Sequence, residues 1–292
     1  MAREEDPTGA SAAKRRRTEA GAAAAGPVCG TSGDGAEEAA LDAALLRAGG
    51  SDVLVAVQLL VRTFPKQTGK AFVPFALQSQ LHALVKDEAA VEGELEQLRL
   101  SKQVRVFKLG SGRDDFGVAL ASDYRAALLR ARGAAGAGTA AFDAFVEVLD
   151  EVWDLAIAKE DLVGIYLRRS RAGGGGGGGG DEDPDGAVED AITQLVRWGF
   201  LAQVPSEDSD MLAFSIPHLG PVVRSIVKGR KELARLFARK RYKEILEKDL
   251  LKGKLQGSAM GMQFHLRDAV GSKWLATETT TAGTVYRLTT AG

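Results

Sequence analysis

DEAAVEGELEQLRLSKQVRVFKLGSGRDDFGVAL, residues 87–120, decides the fold. Val91, Leu95 and Leu98 recur at helical steps, so Asp87–Leu100 reads as an amphipathic helix. VRVFKL (104–109) then alternates as a strand, GSGRDD turns, and FGVAL (116–120) returns as a second strand. The same grammar recurs twice. Gly186–Trp198, with Val188, Ile192, Leu195 and Val196, runs into FLAQV (200–204), PSEDSD and MLAFSI (211–216). A short helix over Phe264–Val270 runs into KWLATET (273–279), TTAG and TVYRL (284–288). Helical patterns precede each unit: Val53–Phe64 and Phe75–Val85, then Phe142–Trp153 and Lys159–Leu167, then stretches within Pro221–Leu251. Helices followed by a two-stranded wing make the winged-helix pattern, a relative of helix-turn-helix. The fold predicted is therefore α+β: three tandem winged-helix domains, at 51–133, 139–217 and 218–290, after a disordered N-terminal tail at 1–50. Domains of roughly 70 residues are small and gain from packing on one another.

Outside these units the chain is biased in composition. The tail is rich in Ala, Gly and charge, and Lys14, Arg15, Arg16 and Arg17 form a compact basic cluster that reads as a nuclear import signal. Gly173–Gly180 is an unbroken glycine run followed by DEDPD, giving the second domain a flexible insert over 171–186. It is not a phosphate-binding loop, since no GKS or GKT follows and the next helix opens with acids that repel phosphate.

Composition narrows the function classes. The chain has 292 residues and is 45% hydrophobic, enough for real cores. Its only cysteine is Cys29, which excludes an intrachain disulfide and suits a reducing compartment. His82, His218 and His265 lie far apart, with no CxxC or HExxH, so no metal and no cofactor is expected. No apolar run approaches the ~20 residues of a membrane span.

Charge is concentrated where the third unit begins. Val222–Lys254 carries twelve Lys/Arg against four acids, while the whole chain nets −1. Arg224, Lys228, Lys231, Arg235, Arg239 and Lys243 follow one another at three- and four-residue steps, placing them in one stripe if the segment is a continuous helix. Such a stripe is most often a solvated face; an excess this large and one-sided also fits a polyanion. The third helices of the first two units are poor readers of DNA. The first carries Asp87, Glu88, Glu92, Glu94 and Glu96 against Arg99, and the second carries Glu189 and Asp190. The expected grip is thus on backbone phosphates, from the early helices of the third unit. Tyr242, inside RKRYK, is placed to stack on a base or to anchor the segment.

Other motifs point to chemistry less well. Asp115-Phe116-Gly117 spells the magnesium-binding tripeptide of protein kinases, and AIAK ending at Lys159 resembles the kinase strand lysine. The order is reversed, no HRD loop exists, and no GxGxxG opens the chain. Phe116 reads more simply as the first core residue of a strand. No catalytic residues are expected. Trp153, Trp198 and Trp274 sit at helix ends or on a wing strand and read as core.

IVKGRKELARLFARKRYKEIL (226–246), FHLRDAVGSKWL (264–275), TTTAGTVYRL (279–288), LQSQLHALVKD (77–87) and ASDYRAALL (121–129) resemble, in order, the serine/threonine-protein kinase 19 family. The resemblance runs from about Val53 to Leu288. It implies a nuclear protein of three winged helices that binds double-stranded DNA and RNA. It also implies a part in transcription-coupled nucleotide excision repair, beside RNA polymerase II and the repair helicase complex. The matching positions, with their neighbours in the stripe, give the expected nucleic-acid surface: Arg224, Lys228, Arg230, Lys231, Arg235, Arg239, Lys240, Arg241, Lys243 and Lys254. Ala238 stands where a cation is expected. The leading expectation is a non-catalytic nucleic-acid-binding adaptor without membrane contact. The alternatives are the kinase of the family name and a protein-only scaffold whose basic stripe meets an acidic partner.

Overall fold

A computed structural model describes residues 51–65, 72–85, 87–110, 115–135, 140–172, 184–204 and 210–289. The import cluster Lys14–Arg17, the tail and the glycine run lie outside them. Leu45–Gly292 forms one compact unit, and its architecture is α+β with small antiparallel sheets, consistent with winged helices.

One order of elements occurs three times. The first copy is α1 (Asp52–Arg62), β1 (Ala76–Leu77), α2 (Gln78–Leu84), α3 (Glu88–Leu100), β2 (Val104–Lys108) and β3 (Phe116–Leu120). After α4 (Ala121–Ala135) comes α5 (Ala140–Glu151), β4 (Ala156–Ala158), α6 (Lys159–Ala172), α7 (Pro184–Trp198), β5 (Leu201–Val204) and β6 (Met211–Phe214). The third copy is α8 (Leu219–Ala238), β7 (Glu244–Leu246), α9 (Glu247–Lys252), α10 (Met262–Gly271), β8 (Leu275–Thr280) and β9 (Gly283–Leu288). The sheets run β1-β3-β2, β4-β6-β5 and β7-β9-β8. In each, the last strand is central and antiparallel to both neighbours. Val118 pairs with Ala76 and Val106, Leu212 with Ile157 and Gln203, and Tyr286 with Ile245 and Thr277.

The sequence missed three short strands and one helix. Phe75–Val85 is not helical throughout: Ala76–Leu77 is a strand, and the helix starts only at Gln78. Strands of two or three residues carry no readable alternation. The helix α4 contains ASDYRAALL (121–129), which the sequence marks by family resemblance and not by helical periodicity.

The turn from third helix to wing is the same in all copies. Lys102 donates to Arg99 and Gln103 to Leu98; Gly199 to Val196 and Phe200 to Leu195; Lys273 to Val270 and Trp274 to Ala269. This nested pair closes the helix with one left-handed residue: Lys102 (φ 60°), Gly199 (φ 81°) and Lys273 (φ 59°).

Strand alternation also explains the core. Val104, Val106, Val118 and Leu120 turn one face of the first sheet onto α1 and α3. Phe107 and Ala119 turn the other face into a larger cluster shared with Phe145, Phe200 and Phe214 of the second copy and with Val222 and Ile226 of α8. The first sheet is thus covered on both sides. A smaller cluster around Leu233, Phe237, Leu266 and Leu275 serves the third copy.

Candidate nucleic-acid interface

The basic segment is not one helix. It ends at Ala238, Arg239 caps it, a turn follows, and Glu244 begins β7. Lys243 lies in that turn with φ 53°. The expected six-residue helical stripe is therefore a four-residue stripe plus a basic turn. At 100° per residue, Arg224, Lys228, Lys231 and Arg235 fall within about 60° of one another. All four are exposed. The opposite arc, Val222, Ile226, Gly229, Leu233 and Phe237, is buried. Arg239, Lys240, Arg241 and Lys243 continue the exposed face through the turn, and Lys254 is exposed beyond α9. Among the described residues, none of these nine cations forms an ion pair. Tyr242 stands within them at 72% exposure, its ring 5.4 Å from the Arg241 guanidinium.

Arg230 is different. Its Nη1 donates to Asp115 at 2.7 Å, and its Nε and Nη2 donate to Asp268 at 2.7 and 3.0 Å. Asp268 is 2% exposed and also accepts from the Ser79 hydroxyl at 2.6 Å. Burial pulls the Arg230 pKa down, but the hydrogen bonds to Asp268 and Asp115 outweigh it and hold the guanidinium above its ordinary range. This cation bridges α8, α10 and the turn before β3.

Its neighbour Gly229 is equally structural. A Cβ there would lie 2.1 Å from the His265 ring, so the glycine lets α8 and α10 close on each other. His265 is 1% exposed, with Nε2 2.8 Å from the Ser258 hydroxyl. Burial depresses its pKa to about 4. Ser225 on α8 holds the same loop by accepting from the Ala259 amide at 2.6 Å.

The three third helices are unequal. On α3, Glu92 and Glu96 are exposed, and on α7, Glu189 and Asp190 are. The third, α10, lies directly on α2: a Cβ on Gly271 would come within 1.5 Å of the Ser79 carbonyl oxygen, and Gln80 Nε2 donates to the Phe264 carbonyl at 3.0 Å. That face of α10 is spent inside the molecule.

The kinase-like residues have other work. Asp115 holds Arg230. Phe116 starts β3 and pairs with Lys108. Gly117 is buried where a Cβ would press on Leu109 and Phe75 at 3.0 Å. Lys159 pairs with Glu189 at 2.5 Å. His218 is an exposed left-handed residue in the strand-to-helix turn. Trp198 meets Phe142, and Trp274 meets Phe237, both edge-on.

The profile of a family described as inactive serine-threonine protein kinase 19 matches residues 56–288. Winged helix repair factor 1 of Mus musculus is 27% identical over 235 residues, covering 80% of this chain and 84% of the mouse protein. The Homo sapiens protein of that name is 25% identical over the same shares. The Dictyostelium discoideum one is 27% identical over 259 residues, 81% of this chain and 64% of its own length.

Proposed function

Because the chain belongs to the family described as inactive serine-threonine protein kinase 19, we propose that it is a non-catalytic, nucleic-acid-binding adaptor of DNA repair built of three tandem winged helices. The observation that carries this reading is the unpaired cationic face of α8 and the turn after it, beside an exposed Tyr242. Cations left without acids along one helix face are matched by phosphates spaced along a strand. The site is Arg224, Lys228, Lys231, Arg235, Arg239, Lys240, Arg241, Lys243 and Lys254; Arg230 supports it from inside. Contact is with backbone more than with base edges, because two of the third helices are acidic and the other is packed on α2. Duplex DNA is the main ligand and RNA a second.

The repair reading rests on the relatives' name and the three repeated folds. The nuclear setting, and a part in transcription-coupled nucleotide excision repair beside RNA polymerase II and the repair helicase complex, are proposed on the family resemblance and the basic cluster Lys14–Arg17. The acidic helices α3 and α7 are the faces for protein partners.

Fluorescence anisotropy of a labelled duplex, titrated across salt, tests the ligand. Wild-type affinity falls steeply with salt. R224E/K228E/R239E lowers affinity at least tenfold and flattens the log–log salt slope by about 3, near one unit per lost phosphate contact. Unchanged affinity and slope would sink the reading and favour a protein-only scaffold.

A further inference from the structure

We infer that Arg105, with Lys102, Ser122 and Arg125, forms a phosphate-binding recess between the first and second copies of the fold, separate from the basic face of α8. Arg105 lies on β2, on the sheet face that the second copy covers, and is only 6% exposed. A buried guanidinium ordinarily has a carboxylate. Among the described residues this one has none within hydrogen-bonding distance. Its guanidinium carbon lies over the Phe214 ring, 4.0 Å from the centroid, and 5.8 Å from that of Tyr124. Nη2 donates to the Val152 carbonyl at 2.9 Å, while Nε is buried without a partner. Burial pulls its pKa to about 10, and it stays a cation at neutral pH.

The same side chain lines a recess of about 170 Å³, walled also by Lys102, Ser122, Arg125 and Asp150. Among the described residues, the charged groups that line it are Lys102, Arg105, Arg125 and Asp150. Lys102 donates to the Asp150 main-chain oxygen, and Arg125 Nη1 donates to the Asp150 carboxylate at 2.8 Å. Asp154, which also acts on Arg105, is turned toward Arg99 at 3.4 Å. Three cations therefore meet one lining carboxylate. The first turn of α4 also lines the recess, where Ser122 supplies a hydroxyl; the Ala121 amide there is taken by the Gln103 carbonyl, and the turn carries Asp123 outside the lining. A guanidinium without a carboxylate partner, a hydroxyl and a second arginine suit a tetrahedral oxyanion. A terminal phosphate, either inorganic phosphate or the phosphorylated side chain of a partner, can enter.

The test uses the full chain. Thermal unfolding is followed with inorganic phosphate against chloride of equal ionic strength, for wild type, R224E/K228E/R239E, Arg105→Met and Arg125→Ala. Phosphate raises the midpoint of wild type and of the triple variant by several degrees, and leaves Arg105→Met and Arg125→Ala unmoved. Arg125 is on the surface, so its variant folds even if the Arg105 one does not. Calorimetric titration with a phosphoserine peptide and its unphosphorylated twin separates the sources: tenfold tighter binding of the phosphopeptide than of phosphate assigns the site to a partner side chain, and phosphate binding alone assigns it to the free ion. Equal stabilisation of all four proteins, or none of wild type, overturns the recess. So does a loss of duplex affinity in Arg125→Ala, which would make it part of the nucleic-acid surface.

Discussion

At the residue scale, VKGR (227–230) divides its labour between neighbours. Lys228 looks outward, Gly229 admits His265, and Arg230 locks two aspartates. That division was partly legible. At 100° per residue Arg230 falls well off the stripe of Arg224, Lys228, Lys231 and Arg235, so periodicity alone removes it from the outward face. Its partners, Asp115 and Asp268, stand 115 and 38 residues away and were not legible. The two cations should fail in opposite ways. Arg230→Ala strands Asp268 in the interior and costs about 3–5 kcal/mol of stability, read by denaturant unfolding, while duplex affinity per folded molecule changes little. Lys228→Ala leaves the unfolding midpoint in place and weakens duplex binding severalfold. His265 adds a pH dependence. Its folded pKa of about 4 lies below the ordinary 6.5, so the unfolded chain takes up a proton that the folded one refuses. Stability from this group is complete above pH 6.5 and is lost as pH falls toward 4, by about 3 kcal/mol at most. Urea unfolding across that range should show a steeper fall for wild type than for His265→Gln.

At the element scale, the helix-to-wing turn gives the cleanest comparison, because three different sequences make the same cap. SKQ (101–103), WGF (198–200) and SKW (272–274) all place their middle residue in the left-handed region. Glycine takes that conformation freely, whereas lysine bears a cost of about 1 kcal/mol. Lys273→Gly should therefore raise the melting midpoint by a few degrees, even with its exposed contact to Glu88 removed. Gly199→Ala should lower it, since the strain returns and the new Cβ meets Pro217 Cα at 3.3 Å. The elements around these turns were the readable ones: α3, α7 and the wing hairpins have long patterns and clear punctuation. The first strand of each sheet was not readable, because its identity comes from pairing with a strand at the far end of the unit. Ala76, Ile157 and Ile245 pair with Val118, Leu212 and Tyr286. Arg105 was hidden for a related reason: in VRVFK it alternates to the face a lone hairpin gives to water, and only the second copy, supplying Phe214, covers it.

At the scale of the whole molecule, three small copies share what none could hold alone. The largest cluster takes Phe64 and Phe107 from the first copy, Phe145 and Phe200 from the second, and Val222 and Ile226 from the helix that opens the third. Tyr124 of α4 joins copies at a point, its hydroxyl donating to the carbonyls of Ser215 at 2.9 Å and Phe200 at 3.3 Å. The third copy is further fixed to the first by Arg230, by Gly271 on Ser79 and by Phe264 edge-on to Phe64 at 5.9 Å. The basic face is thus carried on a rigid support, since α8 has one side in the shared core and the other free for a ligand. Unfolding one copy would expose apolar faces of the other two, which makes the loss of any one unfavourable by itself. Calorimetry of the full chain should accordingly give a single transition whose calorimetric and van't Hoff enthalpies agree. Arg230→Ala, cutting the junction to Asp115 and leaving Asp268 of the third copy unpaired, should lower that transition as a whole. Resolution of wild type into separate steps would mean that the copies hold themselves up, and that the shared core contributes little to the platform on which α8 stands.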